Sequence, residues 1–169
     1  PDLLKGKRAL VTGGGTGIGR AIAFELARAG ATVTIAARQI EPLQATAEAI
    51  ASETQRPVKT RLVDIRDLDS VAQLAAALET EDGQTDILIN NAGGQFPQAA
   101  ENYSPKGWRT IIDLNLNGTW NMTQALGQQM LKGRGGVILN IIMTIGRGNP
   151  GIAHSGAARA GAAAMTRRL

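Results

Sequence analysis

The sequence predicts an α/β fold in which a parallel β-sheet is covered by helices on both faces. Apolar runs of strand length alternate with longer stretches of helical periodicity along the whole chain of 169 residues, which is typical of strands joined by crossover helices. Several of these runs are apolar at consecutive positions, as expected for strands buried between two helix layers. Hydrophobic residues make up 43% of the chain, enough for one core, so we predict a single domain over residues 1–169.

The order of the elements follows from the places where the periodicity changes. Five strands are predicted, at Arg8–Thr12, Thr32–Ala36, Val58–Val63, Asp86–Ile89 and Gly136–Ile142. Helical stretches are predicted near residues 18–29, 41–53, 68–80 and 106–131, and a last one begins near residue 153. This last helix ends with the chain, so we expect a sheet that is incomplete on its C-terminal side and leaves an edge open. Either the chain is a fragment, residues are absent from it, or a partner covers that edge.

Composition excludes several classes of function. The chain has no cysteine, so it holds no disulfide and no thiolate metal ligand or nucleophile, and we predict no metal centre. Aromatic residues make up only 3% of the chain, which argues against a surface that stacks nucleic-acid bases. No window approaches the ~20 apolar residues of a membrane-spanning helix. We therefore expect a cytoplasmic protein with neither a membrane nor a nucleic-acid partner, whose net charge of +4 is compatible with anionic ligands.

A glycine-rich turn joins the first predicted strand to the first predicted helix. The stretch Thr12–Gly19 reads TGGGTGIG and places Gly13, Gly17 and Gly19 between a buried strand and an amphipathic helix. In a dinucleotide-binding turn the first glycine permits the bend, the second leaves room for the pyrophosphate, and the third lets the helix approach the strand. The helix N-terminus then offers free N–H groups to phosphate. The stretch therefore predicts dinucleotide binding, with a tight turn that binds no ligand as the alternative.

The residues after the second and third strands bear on the kind of dinucleotide. Where NAD-binding proteins carry an acidic residue for the ribose hydroxyls, this chain has Ala37 and Arg38. A guanidinium pairs with a 2′-phosphate, so the sequence favours NADP(H) over NAD(H), the alternative being that Arg38 is an ordinary solvated residue. Asp64 follows the third strand, where the adenine end of the ligand is expected. Its structural alternative is to cap the helix that begins near Asp67.

Three motifs together resemble one protein family. The turn Thr12–Gly19, the run Asn-Asn-Ala-Gly at Asn90–Gly93 and the run DLNLNG at Asp113–Gly118 occur in the order of the short-chain dehydrogenase/reductase family. The resemblance implies a Rossmann-like, doubly wound parallel sheet and an NAD(P)-binding domain without the family's C-terminal strands and substrate lid. It also implies the following cofactor-binding residues: Gly13, Thr16, Gly17, Ile18, Gly19, Arg38, Asp64, Ile65, Asn91, Ala92, Gly93 and Arg159.

Asn115 lies in the third motif and is, by the resemblance, the asparagine of the catalytic group. The residues around it separately predict burial, since Asn115 falls on the apolar stripe of the helix predicted at 106–131. A buried carboxamide must be hydrogen-bonded, so we expect it to bond backbone or ordered water, as the family asparagine does to hold a proton-relay water. From the residues alone, a purely structural hydrogen bond is the alternative.

The last helix departs from the family pattern. Family members carry Tyr-x-x-x-Lys at its start and a serine near the end of the preceding strand, whereas this chain has Ser155, Arg159 and Met143 at those places. Ser155 can donate a hydrogen bond but is a far weaker acid than a phenol, and Arg159 can hold a ribose but keeps its proton. The single tyrosine, Tyr103, is not expected to reach the site. His154 is either a proton relay or a structural residue.

The stretch His154–Gly161, HSGAARAG, resembles in particular the branch that reduces trans-2-enoyl-CoA and 2,4-dienoyl-CoA thioesters, where a small residue likewise replaces the tyrosine. Such a reduction leaves an enolate, for which hydrogen-bond donors matter more than full protonation. We predict an NADP(H)-dependent oxidoreductase acting on an enoyl thioester, such as an acyl-CoA, or on a carbonyl compound, with Asn115, Ser155 and Arg159 as catalytic residues. The alternatives are a catalytically silent dinucleotide-binding protein and an inactive fragment of a longer reductase.

Small residues along the last helix would let another helix approach closely, namely Ala153, Gly156, Ala157, Ala160, Gly161 and Ala164. The resemblance implies that this helix forms a subunit interface, so we predict a homodimer or homotetramer, with packing against a helix of the same chain as the alternative.

Overall fold

The computed structural model of the chain describes residues 2–143 and 148–169. None of the helices in these two ranges is long and apolar enough to cross a membrane. The strands are β1 (Arg8–Thr12), β2 (Thr32–Ala37), β3 (Lys59–Leu62), β4 (Ile87–Asn90) and β5 (Val137–Asn140). The α-helices are α1 (Gly17–Arg28), α2 (Ile40–Thr54), α3 (Leu68–Ala77), α4 (Pro105–Ile112), α5 (Gly118–Lys132) and α6 (Ala153–Thr166).

The five strands form one parallel sheet in the order β3-β2-β1-β4-β5. Strand β1 lies at the centre, where Leu10 is level with Thr34 of β2 on one side and with Leu88 of β4 on the other. Strands β2 and β3 follow β1 on one side of it, and the chain then crosses over so that β4 and β5 lie on the other side. The order of strands therefore reverses between β1 and β4, which places a crevice at the carboxyl ends of these two strands.

Helices cover both faces of the sheet, as the sequence predicts. Leu10 and Leu88 point to the face covered by α3 and α5, where Met122, Leu126 and Met130 of α5 are buried. Their strand neighbours point the other way, into a second cluster formed with α1 and α2. That cluster includes Ala9, Val11, Ala23, Ala27, Val33, Ile35, Leu43, Ile50 and Ile89. Because both faces of β1, β2 and β4 are buried, these three strands read as nearly continuous apolar runs, whereas the edge strands β3 and β5 are partly exposed.

The long helix predicted at 106–131 is confirmed as one continuous helical run over residues 105–132, which contains a turn of π-helix. Helix α4 ends at Ile112, a turn of π-helix occupies Asp113–Asn117, and α5 begins at Gly118. A π turn accommodates one more residue than an α-helical turn does. Apolar residues recur at three- and four-residue steps on both sides of this turn, so the periodicity gives no sign of the extra residue. The other predicted elements are confirmed, with ends that differ by a few residues.

The turn between β1 and α1 is shaped by close contacts at its glycines. Gly13 and Gly17 have φ angles of 66° and 53°, in the left-handed region that favours glycine. A Cβ atom at Gly19 would overlap the carbonyl oxygen of Gly13 and the side-chain nitrogen of Asn91. Gly19 thus lets the first turn of α1 lie directly against the ends of β1 and β4.

We predict that Gly19→Ala destabilises the fold by about 1–3 kcal/mol, because its methyl group displaces backbone on one side and Asn91 on the other. Urea unfolding measures the change. Gly156→Ala is the matched control on α6, since nothing lies within 4 Å of a Cβ at Gly156. The control should unfold at the same or slightly higher urea, because alanine favours a helix by about 1 kcal/mol over glycine. An unchanged midpoint for Gly19→Ala contradicts the prediction.

Candidate functional site

The end of β4 is fastened to the glycine turn through Thr12 and Asn91. The Thr12 hydroxyl accepts hydrogen bonds from the backbone N–H groups of Asn91 (3.1 Å) and Ala92 (3.0 Å). In return, the side-chain amide of Asn91 donates to the carbonyl oxygens of Thr12 (3.0 Å) and Gly13 (3.3 Å). These four bonds fix the turn and the Asn-Asn-Ala-Gly segment as one unit. The role of the Thr12 hydroxyl was not predicted from the sequence.

Two adjoining cavities lie at the carboxyl ends of β1, β2 and β3. One, of about 390 Å³, is lined by Gly13, Gly15, Thr16, Ala37, Arg38, Gln39 and Pro42. The other, of about 140 Å³, is lined by Gly13, Ala36, Ala37, Arg38, Val63, Asp64, Ile65, Ala92, Gly93 and Leu114. Together they form a groove beside the switch point, the place between β1 and β4 where the strand order reverses. We call it the switch-point groove. It brings together Gly13, Thr16, Arg38, Asp64, Ile65, Ala92 and Gly93 among the predicted cofactor residues.

The N-terminus of α1 is open toward an anion. No side chain caps it through Thr16, and no acidic residue lies in its first turn. Its first backbone N–H groups are therefore available to a negatively charged ligand at the positive end of the helix dipole. Gly17 and Gly19 lie on this first turn without lining either cavity, and the Ile18 side chain is largely exposed.

Arg38 follows β2 and lines both cavities of the groove. Its side chain is exposed, and it takes part in none of the ion pairs found in residues 2–143 and 148–169. A guanidinium in this position can turn its planar fork toward an anionic group in the groove.

Asp64 is held by Arg66, two residues further along the chain. Its Oδ1 accepts hydrogen bonds from the backbone N–H of Arg66 at 3.0 Å and from Nε at 2.9 Å, while Oδ2 accepts from Nη2. The alternative that Asp64 caps a helix is wrong. Helix α3 is capped by Asp67, whose carboxylate accepts the backbone N–H groups of Asp69 (3.0 Å) and Ser70 (3.4 Å).

Asn115 lies fully buried in the π turn, and its carboxamide is satisfied by backbone. It donates to the carbonyl oxygens of Gly94 (2.7 Å) and Ile111 (3.0 Å), and its Oδ1 accepts the N–H of Gly94 (3.1 Å). The two-way bond with Gly94 ties the helix to the segment that follows β4. The predicted burial is therefore confirmed, and the partners of the side chain in the structure are backbone groups.

Ser155 and Arg159 lie one turn apart on α6, and the side chain of Arg159 approaches Asn115. A Cβ atom at Gly93 would overlap Nη2 of Arg159 and lie 2.6 Å from Oδ1 of Asn115. The side chains of Arg159 and Asn115 therefore meet at the Gly93 backbone. Arg159 also donates from Nη1 to the carbonyl oxygen of Ile141 (2.8 Å), and burial lowers the pKa of its guanidinium. Ser155 is 2% exposed and donates to the sulfur of Met143 at 3.8 Å.

A chain of polar side chains joins α6 to the sheet. Asn90 donates to the hydroxyl of Thr123 (3.0 Å) and to Oδ1 of Asn140 (2.9 Å), and Asn140 donates to the hydroxyl of Thr166 (2.8 Å). These bonds connect β4, α5, β5 and α6. Asn90 belongs to a motif that the sequence shows, yet nothing in the sequence pairs it with Thr123 or Asn140, which lie far along the chain.

His154 and Tyr103 are packed together away from the groove. The two rings stack at 4.6 Å, and Phe96 meets the His154 ring edge-on at 4.6 Å. The Tyr103 hydroxyl donates to the carbonyl oxygen of Gly151 (2.8 Å) and accepts the N–H of Ala153 (3.1 Å). His154 is fully buried, and its Nδ1 accepts the N–H of Ser155 at 2.8 Å. Of the two possibilities for His154, the structure favours the structural one.

We predict a pH-dependent contribution of Asp64 to stability. The hydrogen bonds from the Arg66 side chain lower the pKa of Asp64 from 3.8 to about 2. The ionised carboxylate therefore adds to the free energy of unfolding above pH ~4, and this contribution is lost as the pH falls through about 2. Both side chains are about one-third exposed, so Asp64→Asn should cost about 1 kcal/mol or less at neutral pH. Urea unfolding at a series of pH values should show the difference shrinking in acid, and a constant difference argues against it.

The family model and the curated proteins that match this chain point to the same kind of protein. The family model described as short chain dehydrogenase matches residues 7–169. An uncharacterised oxidoreductase of Caenorhabditis elegans is 43% identical over all of this chain and 55% of its own length. A peroxisomal 2,4-dienoyl-CoA reductase of Danio rerio is 39% identical over all of this chain and 57% of its own length. The chain thus spans a little over half the length of these curated relatives.

Solved structures agree with the fold. A citronellol catabolism dehydrogenase of Pseudomonas aeruginosa PAO1 is similar with a TM-score of 0.94 and 38% identity, covering 99% of this chain and 69% of the other. A metagenomic short-chain oxidoreductase in complex with NADP is similar with a TM-score of 0.91 and 29% identity, covering 98% and 75%. With the family model matched over nearly all of its length, the chain belongs to the short-chain dehydrogenase family, and its relatives include 2,4-dienoyl-CoA reductases.

Proposed function

We propose that the chain is the dinucleotide-binding part of an NADP(H)-dependent oxidoreductase that reduces a conjugated enoyl thioester or a related carbonyl compound. The observation that carries this proposal is the switch-point groove, which combines the glycine turn with Arg38, a cation at the end of β2 that forms no ion pair with the residues the structure describes. Since the chain spans little more than half of its curated relatives, the activity of the whole protein stays a proposal.

The residues of the groove fit a dinucleotide. The contact of Gly19 with Gly13 and Asn91 brings α1 close enough for its N-terminal N–H groups to bind a pyrophosphate. Thr16 lies at this helix start and lines the larger cavity. Asp64 and Ile65 line the smaller cavity, which would take the adenine end. Gly93 and Arg159 lie further along, toward the nicotinamide end.

Arg38 supports a preference for NADP(H). It is the cationic side chain that lines both cavities, and no carboxylate takes the place at the end of β2 where one would bond the ribose hydroxyls of NAD. A guanidinium binds a 2′-phosphate through two parallel hydrogen bonds and gains both charge and geometry.

The nicotinamide end of the site would be served by Asn115 and Arg159. When bound, a nicotinamide dinucleotide supplies or accepts a hydride. Arg159 offers a fixed positive charge and donors beside Gly93, which suits a ribose hydroxyl or a developing negative charge on substrate oxygen. Burial lowers its pKa, but an arginine stays protonated at working pH. Asn115 holds the Gly93–Gly94 backbone in place for this contact.

The side chains of α6 favour an enoyl thioester over a simple ketone as the substrate. The Ser155 hydroxyl is buried against Met143 and is too weak an acid to protonate an alkoxide. Hydride addition to the β-carbon of an enoyl thioester instead leaves an enolate, which a fixed cation stabilises without giving up a proton. Several relatives are named as 2,4-dienoyl-CoA reductases.

A silent dinucleotide-binding protein is the second candidate. The donor of Ser155 is turned to the sulfur of Met143 and the carboxamide of Asn115 is satisfied by backbone. Both side chains are therefore engaged within the protein, as in a site that binds a dinucleotide without turning over a substrate.

We also propose a homodimer or homotetramer. Small residues form the outer face of α6, where Ala153, Ala157 and Ala164 are exposed and nothing lies within 4 Å of a Cβ at Gly156. Another helix can approach such a face closely. The cytoplasmic location stays a prediction, and several relatives are named as peroxisomal enzymes.

Turnover separates the two candidate functions. We expect the chain to bind NADPH and to oxidise it faster with trans-2-enoyl-CoA or 2,4-dienoyl-CoA esters than with ketones. The loss of NADPH absorbance over time measures these rates. Binding without turnover of any substrate favours the silent protein. Failure to bind either NADPH or NADH contradicts both candidates.

We predict that Arg38→Asp reverses the preference between the two dinucleotides. The substitution removes the cation for a 2′-phosphate and supplies a carboxylate for ribose hydroxyls, so the affinity for NADPH should fall about 10-fold or more while that for NADH rises. Titration of both dinucleotides measures the ratio. Arg109→Asp, an equal charge change on α4 outside the groove, is the control. An equal preference before and after the change at position 38 refutes the role of Arg38.

A further inference from the structure

The sulfur of Met143 lies against the hydroxyl of Ser155. Met143 follows β5 and is partly exposed, whereas Ser155 on α6 is 2% exposed. The Ser155 hydroxyl donates to the Met143 sulfur at 3.8 Å. Arg159, one turn further along α6, donates to the carbonyl oxygen of Ile141 at 2.8 Å, two residues before Met143. The thioether of Met143 therefore lies next to the part of α6 that carries Ser155 and Arg159.

The thioether holds the Ser155 hydroxyl only weakly. A methionine sulfur is a weak hydrogen-bond acceptor, and within residues 2–143 and 148–169 the hydroxyl donates to no stronger one. Methionine also changes its side-chain conformation easily, because it is unbranched and has three rotatable bonds. A better acceptor placed beside the hydroxyl would therefore take it over from the sulfur.

The four methionines of the chain differ in access to solvent. Met122 and Met130 are sealed in the core, with 0% and 4% exposure. Met143 and Met165 are both partly exposed, so a small oxidant can reach them. In the part of the chain that the structure describes, no side chain donates a hydrogen bond to the sulfur of Met165. Met165 is thus a reference for a methionine that has access to solvent but no hydroxyl donor.

A hydroperoxide oxidises a methionine sulfur in one balanced step. A sulfur lone pair attacks one peroxide oxygen, the S–O bond forms and the O–O bond breaks. The leaving oxygen takes up the proton of the attacked oxygen and departs as water, so sulfur loses two electrons and the peroxide gains them. The Ser155 hydroxyl occupies one of the two lone pairs of Met143. Attack at the other lone pair then gives one of the two sulfoxide epimers.

We propose that Met143 is a modification site for hydroperoxides, oxidised to mainly one sulfoxide epimer whose oxygen takes over the hydroxyl of Ser155 and so stops reduction of the substrate. The effect on turnover rests on the proposed function. A sulfoxide converts the apolar side chain into a polar one with a strong acceptor, and rotation of its last bonds brings the oxygen to the hydroxyl. Ser155 then no longer donates to a substrate oxygen. The switch-point groove is built by other residues and keeps its affinity for the dinucleotide.

The first test measures the two epimers and needs no activity. The full chain is treated with hydrogen peroxide and digested, and the peptides are incubated with each of the two methionine sulfoxide reductases, which act on opposite epimers. Mass spectrometry should show about a 5-fold excess of one epimer at Met143, the selectivity that one hydrogen bond gives, and about equal amounts at Met165. Ser155→Ala should bring the ratio at Met143 close to one, and Ser155→Thr, which keeps the hydroxyl, should restore the excess.

The second test follows NADPH oxidation with an enoyl-CoA ester before and after peroxide. Oxidation should lower the rate about 10-fold or more, as expected when a donor to a developing oxyanion is lost, with the affinity for NADPH unchanged. The reductase that acts on the main epimer should restore the rate. Met143→Leu cannot be oxidised at this position, so it should keep its own untreated rate. Met165→Leu is the matched control and should lose activity as the unmodified chain does.

The outcomes separate this inference from the proposed function. Equal amounts of the two epimers at Met143, or a loss of activity that survives Met143→Leu, overturns the inference while leaving the proposed function intact. An untreated chain that binds no dinucleotide and turns over no substrate overturns the proposed function and the effect on turnover with it. The epimer ratio at Met143 still decides in that case whether this residue is the modification site.

Discussion

The site depends above all on the hydrogen bonds between the end of β1 and the end of β4. The Thr12 hydroxyl accepts two backbone N–H groups from the segment after β4, and the Asn91 amide returns two bonds to the glycine turn. The ladder of backbone hydrogen bonds that joins β1 to β4 ends at Val11 and Ile89. The side chains of Thr12 and Asn91 take over that task, and the groove keeps its shape because they do.

Fixed positive charge lies in and around the groove rather than at one point. Arg38 lines the groove at the end of β2 and forms no ion pair within residues 2–143 and 148–169. Arg66, on the outer side, binds Asp64, and Arg159 reaches the Gly93 backbone from α6. The three guanidinium groups differ in their surroundings: Arg38 is exposed, Arg66 is paired with a carboxylate, and Arg159 is partly buried.

Much of the fold could be predicted from the sequence, because β1 and β2 are buried on both faces and the glycine turn sits directly between a strand and a helix. The π turn at Asp113–Asn117 within the long helix could not, since apolar spacing is the same on both sides of it. For the site, the burial of Asn115 followed from its apolar neighbours. Its bonds to Gly94 and the grip of Arg66 on Asp64 depend on backbone geometry that periodicity does not encode.

The π turn sets two registers at once. Upstream, it directs Asn115 at Gly94, and downstream it sets the rotation of α5, whose Met122, Leu126 and Met130 fill one face of the core. Each residue of an α-helix turns the chain by about 100°. A π turn takes up one residue more than an α-helical turn does, so the α-helices on either side of it can keep their registers. The extra residue thus lets Asn115 bond Gly94 while Met122, Leu126 and Met130 stay on the buried face of α5.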